Sequence, residues 1–480
     1  MPSKPSTRIA EPLLGGPDGI HLAAAGARFR RGQAYILAGL LGVTTFLALA
    51  LQGPCMSSGY EQPSASARMC AGPLSTAFLG DVNPEVPGRS IGGMAGLSVL
   101  DARFVNLLRL VTDDVSVFMA IVLIVNVIAI AALGVALLVL ARQRAWLAAA
   151  FASPLILFTL GSTLDPVALA LSVWAMVIFV GSSPIASRPW LSGVLLGFAA
   201  FINPLALLVL LALSLTGPHP AGRLRPRNPQ MMIATATITS ALILVIDGTA
   251  IDRIVHWISD AVDGGSFASI LVMAQLGTAE VWAPVWIIGS AGVVAAVAIS
   301  LYMVRRNGLD PAVAACLLIG GCLLLAPGMM PWDTLWILPF FVVTVRRWWI
   351  LIGWALAETA FAIAIHLGDV AGIESDKGLE PTMVALITLL RLLVLVAVVI
   401  CAGENLYRRQ VRGVLAKDQP PRRDSESVPA SNDRLLISQQ ESQPRDQAAP
   451  GDDDRFVGGQ EPPRRESGVS DGGQGHGNPT

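Results

Sequence analysis

Acidic and amide side chains at the boundaries of apolar segments are the groups in this 480-residue chain that are placed to do chemistry. Carboxylates gathered around one cavity could act as a general base, or could hold a divalent cation against a lipid-linked phosphate. Neighbouring basic, imidazole and indole groups could bind the rest of a substrate. The candidates are Asp81 and Glu85 for catalysis, and Asp165, Asn203, Arg253, His256, Trp332 and Asp333 for substrate binding.

Several of these residues also have a plain structural interpretation. Asp165 stands before a proline, where a carboxylate often caps the start of a helix. His256, between a valine and a tryptophan, would suit an amphipathic helix at a membrane interface. Asp81 and Glu85 could be solvated loop residues. The role of each group therefore depends on whether the fold brings them together.

The composition is that of an all-α polytopic membrane protein. Hydrophobic residues make up 53% of the chain and charged residues 14%, and the mean hydropathy is +0.61. The formal net charge is -1, and the basic residues alternate between loops instead of forming one face. We therefore expect membrane lipids as partners and no nucleic acid.

Residues 190–215 are apolar almost throughout but contain Asn203 and Pro204 near the middle. At about 1.5 Å per residue, one helix of this length would exceed a hydrocarbon core of about 30 Å. Proline also removes a helical hydrogen bond and disfavours the α conformation of the residue before it, whereas asparagine caps a helix that restarts. The sequence therefore predicts two half-helices meeting at this break, which should line a site or a packed interface.

Arginine clusters follow every second apolar segment. We place the first cluster, residues 28–31, in the cytoplasm. If residues 190–215 enter the membrane and return to the cytoplasm, all the later clusters are cytoplasmic as well. This scheme predicts about twelve transmembrane or re-entrant helices with both termini in the cytoplasm. Residues 35–410 form the membrane domain, with a large outer loop at 52–114, and residues 1–34 are a cytoplasmic segment. Residues 411–480 are polar and predicted to be disordered.

The five cysteines fall into two groups. Cys55 and Cys70 share the predicted outer loop, where an oxidising exterior would permit a disulfide between them. Cys316, Cys322 and Cys401 lie in apolar segments and suit packing. Because the chain has no CxxC pair or His/Cys cluster, it predicts no zinc site.

Short motifs in a fixed order resemble glycosyltransferase family 87, a bacterial multispanning family. They are SPL at 153–155, GSTLD at 161–165, WLSGVLLGFAA at 190–200 together with Asn203 and Pro204, and PWDTLWILP at 331–339. The segments SDKGL at 375–379 and LLR at 389–391 are similar to an actinobacterial branch of that family. The resemblance extends over residues 115–409.

The resemblance implies an all-α, GT-C-like bundle with a large first outer loop. It implies a plasma-membrane enzyme that takes a sugar, often mannose, from a polyprenyl-phosphate donor and transfers it to a lipid or glycan acceptor. A carboxylate of the first outer loop would be the general base. Asp81 is the best candidate for it, and Glu85 is the second. Asp165 and Asp333 would line the sugar region, and Asn203 at the break would contact the donor phosphate. No cofactor is certain, and a divalent cation is a candidate.

Two departures from the family pattern leave other functions open. The lysine usual before the proline of the break is absent here, and residues 263–266 replace a family segment that carries an arginine. Arg253 could substitute for these cations in space. The alternatives are a catalytically inactive membrane scaffold in envelope biogenesis and a transporter of lipid or solute, for which the broken helix would be a binding site.

Overall fold

Every regular element in the described part of the chain is helical. The computed structural model describes residues 27–61, 63–80, 97–141, 155–180, 188–216, 228–247, 251, 264–305, 309–344, 348–373 and 377–418. The helices are α1 Ala27–Ser57, α2 Ser64–Ala67, α3 Pro73–Leu79, α4 Val99–Arg109, α5 Val115–Ala141, α6 Leu155–Thr159, α7 Asp165–Val180, α8 Pro189–Ile202, α9 Leu205–Leu215, α10 Pro229–Ile246, α11 Phe267–Met273, α12 Ala279–Val304, α13 Pro311–Leu324, α14 Pro331–Thr334, α15 Leu338–Thr344, α16 Trp348–Ile373 and α17 Pro381–Asp418. A 3₁₀ turn, Leu335–Ile337, joins α14 to α15.

Six of the described helices are long and apolar enough to cross a membrane. These spans are Ala38–Ser57, Val115–Leu140, Pro229–Ile246, Ala279–Val304, Trp349–Ile373 and Pro381–Arg408. The all-helical membrane architecture predicted from composition is thus confirmed. The described residues contain six such spans, and the total of about twelve transmembrane or re-entrant helices stays a prediction. Four further apolar helices are only 10–17 residues long. At about 1.5 Å per residue they are too short for a hydrocarbon core of about 30 Å.

The break between α8 and α9 lies where the sequence predicts it. Asn203 ends α8 in an extended conformation, with φ -148° and ψ 124°. Its side-chain oxygen then accepts a hydrogen bond from Leu205 N at 2.9 Å, which caps the start of α9. Asn203 and Pro204 therefore interrupt an apolar stretch, and the Asn203 amide points into the bundle.

Two glycines let α8 lie directly against α10. A Cβ on Gly193 would meet Ala236 N at 3.0 Å, and one on Gly197 would meet Ala236 O at 2.9 Å. Small residues spaced by four are typical of closely packed membrane helices. This contact fixes α8, and with it the position of Asn203.

The predicted outer loop, residues 52–114, is largely helical where it is described. Cys55 and Cys70 are disulfide-bonded, with Cα atoms 6.5 Å apart. Leu74 N donates to Ser162 O at 3.2 Å, so the segment packs onto the turn that precedes α7. His366 of α16 contacts Ala71 O through Nε2 at 3.2 Å. These contacts tie the segment to the helical bundle.

Both predicted ends of the membrane domain lie inside helices. The first helix begins at Ala27, before the predicted boundary at residue 35, and the last continues to Asp418, beyond residue 410. The disordered tail was predicted at residues 411–480, of which residues 411–418 are helical and residues 419–480 lie outside the described residues.

Candidate functional site

Three residues that the sequence singled out meet inside the bundle. Asn203 Nδ2 lies 2.9 Å from Asp165 Oδ1 and 3.5 Å from Asp333 Oδ1. Asp165 and Asn203 are buried. Asp101 joins them, because its carboxyl group interacts electrostatically with that of Asp165. We refer to Asp101, Asp165, Asn203 and Asp333 as the acidic centre.

Asp165 is placed by the turn before α7. Asn126, near the middle of α5, donates to Leu160 O at 2.7 Å and to Thr163 O at 2.8 Å. Thr163 Oγ1 in turn donates to Asp165 Oδ2 at 2.9 Å, and Trp336 Nε1 lies 3.5 Å from Asp165 Oδ1. The carboxylate therefore faces donors from other segments of the bundle, in an interior where ionisable groups are uncommon.

Asp101 lies in the first turn of α4. Ser98 caps this helix, its Oγ accepting from Asp101 N at 3.1 Å. The Asp101 side chain is 4% exposed. Burial raises the pKa of its carboxyl group to about 7, while hydrogen bonds from Ser98 and Leu164 act in the opposite direction. A carboxyl group that titrates near neutral pH is suited to proton transfer.

Asp333 is held by its own short helix. Its Oδ2 accepts from Met330 N at 2.9 Å, which caps the start of α14. The neighbouring Trp332 is partly buried against Met330, Phe361, Ile365 and Val384. The motif at 331–339 thus presents a carboxylate to the acidic centre and an indole to the next apolar cluster.

A fully buried ion pair supports the loop that carries Asp333. Arg391 Nε donates to Glu358 Oε2 at 2.8 Å, and the two side chains are 0% and 1% exposed. Arg391 also donates to Met329 O at 2.6 Å and to Met330 O at 3.2 Å. Thr334 Oγ1 donates to Glu358 Oε2 at 2.8 Å. The pair thereby connects α16 and α17 to the start of α14.

Gly265 allows a second segment to reach the same arginine. Its carbonyl accepts from Arg391 Nη1 at 3.3 Å, and its φ is +80°. A Cβ there would lie 2.5 Å from Phe361 Cζ and would also clash with Met329 O and Arg391 Nη1. Only glycine fits this position without strain.

Gly265→Ala is therefore expected to destabilise the protein by about 2 kcal/mol or more, through left-handed strain together with steric clash. Thermal unfolding of the purified protein in detergent would measure this. The matched control is Gly264→Ala, since its Cβ would meet chiefly the flexible end of Ile365, at 2.6 Å. Equal melting temperatures for the two variants would contradict this account of Gly265.

Four predicted site residues lie outside the described residues. These are Asp81, Glu85, Arg253 and His256. Among the described candidates, Asp165, Asn203 and Asp333 come together, while Trp332 packs beside them. The amide of Asn203 is engaged with the two carboxylates and with Leu205 N, so here it orients the acidic centre.

Sequence reasoning did not select Asp101, Glu358 or Arg391 as site residues. The last two stand within otherwise apolar segments, and an ionisable residue there is itself a signal of function or buried pairing. Asp101 gives no such signal, because it lies among several acids of residues 52–114.

The carboxylates of the acidic centre can accept hydrogen bonds from hydroxyl groups and stabilise developing positive charge, while the neighbouring indole N–H of Trp336 can only donate. Within the described ranges no three His, Cys, Asp or Glu side chains are placed to hold a metal ion.

Comparison with known proteins gives no family for this chain. No protein-family model matches it, and no curated protein is significantly similar to it. The structure defines an all-helical membrane protein with a buried acidic centre.

Proposed function

We propose that this protein is a GT-C-like membrane glycosyltransferase, which transfers a sugar from a polyprenyl-phosphate donor to an envelope lipid or glycan on the outer face of the plasma membrane. The observation that carries the proposal is the meeting of Asp165, Asn203 and Asp333 at one buried centre. These residues belong to three of the motifs that resemble glycosyltransferase family 87. They are distant in sequence and adjacent in the fold.

The proposed reaction is a displacement at the anomeric carbon. The acceptor hydroxyl attacks this carbon, the bond to the phosphate oxygen breaks, and polyprenyl phosphate leaves with the electron pair. The hydroxyl proton passes to a carboxylate of the outer segment, for which we propose Asp81, with Glu85 as the second candidate. Arg253 and His256 are proposed to meet the donor phosphate.

The acidic centre is suited to the sugar itself. Carboxylates accept hydrogen bonds from sugar hydroxyls, and positive charge develops on the sugar ring as the leaving group departs. Asp333 is the proposed contact to the sugar, because it is carried on a short turn and not within a long helix. Asn203, itself held by Asp165, orients the Asp333 carboxylate.

Burial of the acidic centre argues for transferase over scaffold. A protein that only recruits partners has no need of carboxylates in its interior, where they are costly to keep. The broken helix at Asn203 is the feature that would also suit a transporter, since such breaks often form binding sites at membrane depth.

Glycolipid and envelope-polysaccharide profiling of a deletion strain would test the proposal. We expect one glycosylated species to be lost, to return with the wild-type gene, and to stay absent with Asp81→Ala at equal protein level. Asp113→Ala, which removes an exposed carboxylate of the same segment, is the matched control and should restore the species. An unchanged profile in the deletion strain would favour the scaffold.

A further inference from the structure

Two buried carboxyl groups of the acidic centre lie near each other without a basic partner, because Asp101 accepts a hydrogen bond from the backbone of Leu164, the residue before Asp165. Asp165 is 3% exposed and Asp101 is 4% exposed, and they interact electrostatically. Among the residues that the structure describes, neither takes part in a salt bridge. Two neighbouring negative charges in such surroundings are strongly unfavourable. The pair therefore requires a positive charge, supplied by a bound cation or by a proton.

Asp165 has the surroundings of an ionised carboxylate. Its Oδ1 accepts from Asn203 Nδ2 at 2.9 Å and faces Trp336 Nε1 at 3.5 Å. Its Oδ2 accepts from Thr163 Oγ1 at 2.9 Å. Donors on both oxygens stabilise the anion and leave little place for an added proton.

Asp101 has the surroundings of a protonated acid. Its Oδ1 is buried and has no hydrogen-bond partner. Its hydrogen bonds from Ser98 and Leu164 favour the anion. Burial raises the pKa of both carboxyl groups to about 7, so the proton is assigned to Asp101 by its unpartnered Oδ1 and by the donors on both oxygens of Asp165. A proton on Asp101 removes the charge that would otherwise be left uncompensated beside Asp165.

The elements around Asp101 supply little other charge. Helices α3, α5, α8 and α10, which pack near α4, carry no titratable side chain within their bounds. Arg103 of α4 is engaged with Asp247 at the end of α10, with Nε 2.7 Å from Oδ2. Beyond Asp165 lies Asp333, whose own neighbouring cation is Arg391.

We propose that Asp101 and Asp165 form a proton-binding site that holds one proton at neutral pH, carried by Asp101 while Asp165 stays ionised. The proposal goes beyond the transferase activity and does not rest on it. It requires only that the fold keep the two carboxyl groups buried together.

Asparagine variants distinguish the two carboxyl groups, because an amide resembles a protonated acid. We expect Asp101→Asn to fold normally. Asp165→Asn should melt at a lower temperature, since its new amide N–H groups would face the donors from Asn203, Thr163 or Trp336. Infrared spectra of the full chain in lipid nanodiscs should show a carbonyl band of a protonated carboxylic acid that shifts in D2O. This band should vanish in Asp101→Asn and persist in the control Asp113→Asn.

The pH dependence of unfolding gives a second readout. A carboxyl group with an ordinary pKa of 3.8 that is raised to about 7 on folding binds its proton more tightly in the native state. Its stabilising contribution is therefore present below about pH 4 and is lost as the pH rises towards about 7. Between about pH 5 and about pH 7 the melting temperature of the wild type should fall more steeply than that of Asp101→Asn.

Two results would overturn the proposal. One is an unchanged infrared band and an unchanged pH profile in Asp101→Asn, which would place the proton elsewhere. The other is stabilisation of the wild type by added Na⁺ or Mg²⁺ at neutral pH that disappears in Asp101→Asn, which would show that the pair binds a metal cation instead.

Discussion

Replacing Arg391 with leucine is expected to lower the free energy of unfolding by about 3–5 kcal/mol, the usual cost of breaking a buried ion pair. The change leaves Glu358 charged and buried, and Glu358 Oε1 already has no partner. It also removes the donors that bind Met329 O and Met330 O, at 2.6 and 3.2 Å. Chemical unfolding in mixed micelles would measure the loss.

A double variant separates the charge from the packing. Arg391→Leu combined with Glu358→Leu removes both charges, so it should be more stable than Arg391→Leu alone, because no unpaired charge remains. Thr334 would lose its acceptor in the double variant, and recovery should therefore be incomplete. If Arg391→Leu alone is as stable as the wild type, the Arg391–Glu358 ion pair does not hold the loop before Asp333.

Asp333→Asn is expected to reduce glycosyl transfer by about 100-fold or more, through loss of a charge placed to stabilise the transition state. The amide keeps an oxygen that can cap α14 as Asp333 Oδ2 now does. Folding should therefore be retained, and melting temperature and expression level would verify this. Transfer rates measured at saturating donor would report the catalytic loss separately from donor binding.

The matched control for Asp333→Asn is Asp310→Asn. Asp310 caps the start of α13, its Oδ1 accepting from Ala312 N at 3.0 Å, and asparagine can make the same bond. This variant should transfer sugar at the wild-type rate. Equal rates for Asp333→Asn and Asp310→Asn would remove Asp333 from the proposed mechanism.

Much of the acidic centre could be predicted from local sequence. The break at Asn203 follows from the restricted backbone before a proline, and Asp165 and Asp333 were selected because they flank apolar segments at predicted turns. Their meeting could not be derived, since it depends on how α8 packs on α10 and on how Asn126 holds the turn before α7. Such contacts between distant segments leave no periodic signal in a single sequence.

The predicted total of about twelve transmembrane or re-entrant helices stays a prediction, because hydropathy alone does not measure how deep a helix lies in the membrane. Helices α7 and α13 are apolar but only 16 and 14 residues long, and an alternating pattern of arginine clusters makes each resemble a full crossing. In the structure α7 begins at the acidic centre with Asp165, and α8 ends there at Asn203. Arg391 illustrates a related limit, because its five donors serve a partner on α16 and carbonyls before α14, which the sequence does not bring together.

The most direct test of the central claim is transfer of labelled sugar by the purified protein. The assay combines the protein in liposomes, polyprenyl phosphate carrying radiolabelled mannose, and membrane lipids from the deletion strain as the source of acceptor. The account predicts label in a new lipid or glycan product with the wild type, and its loss with Asp333→Asn. Absence of transfer by well-folded wild-type protein, with this donor and with other polyprenyl-phosphate sugars, would contradict it.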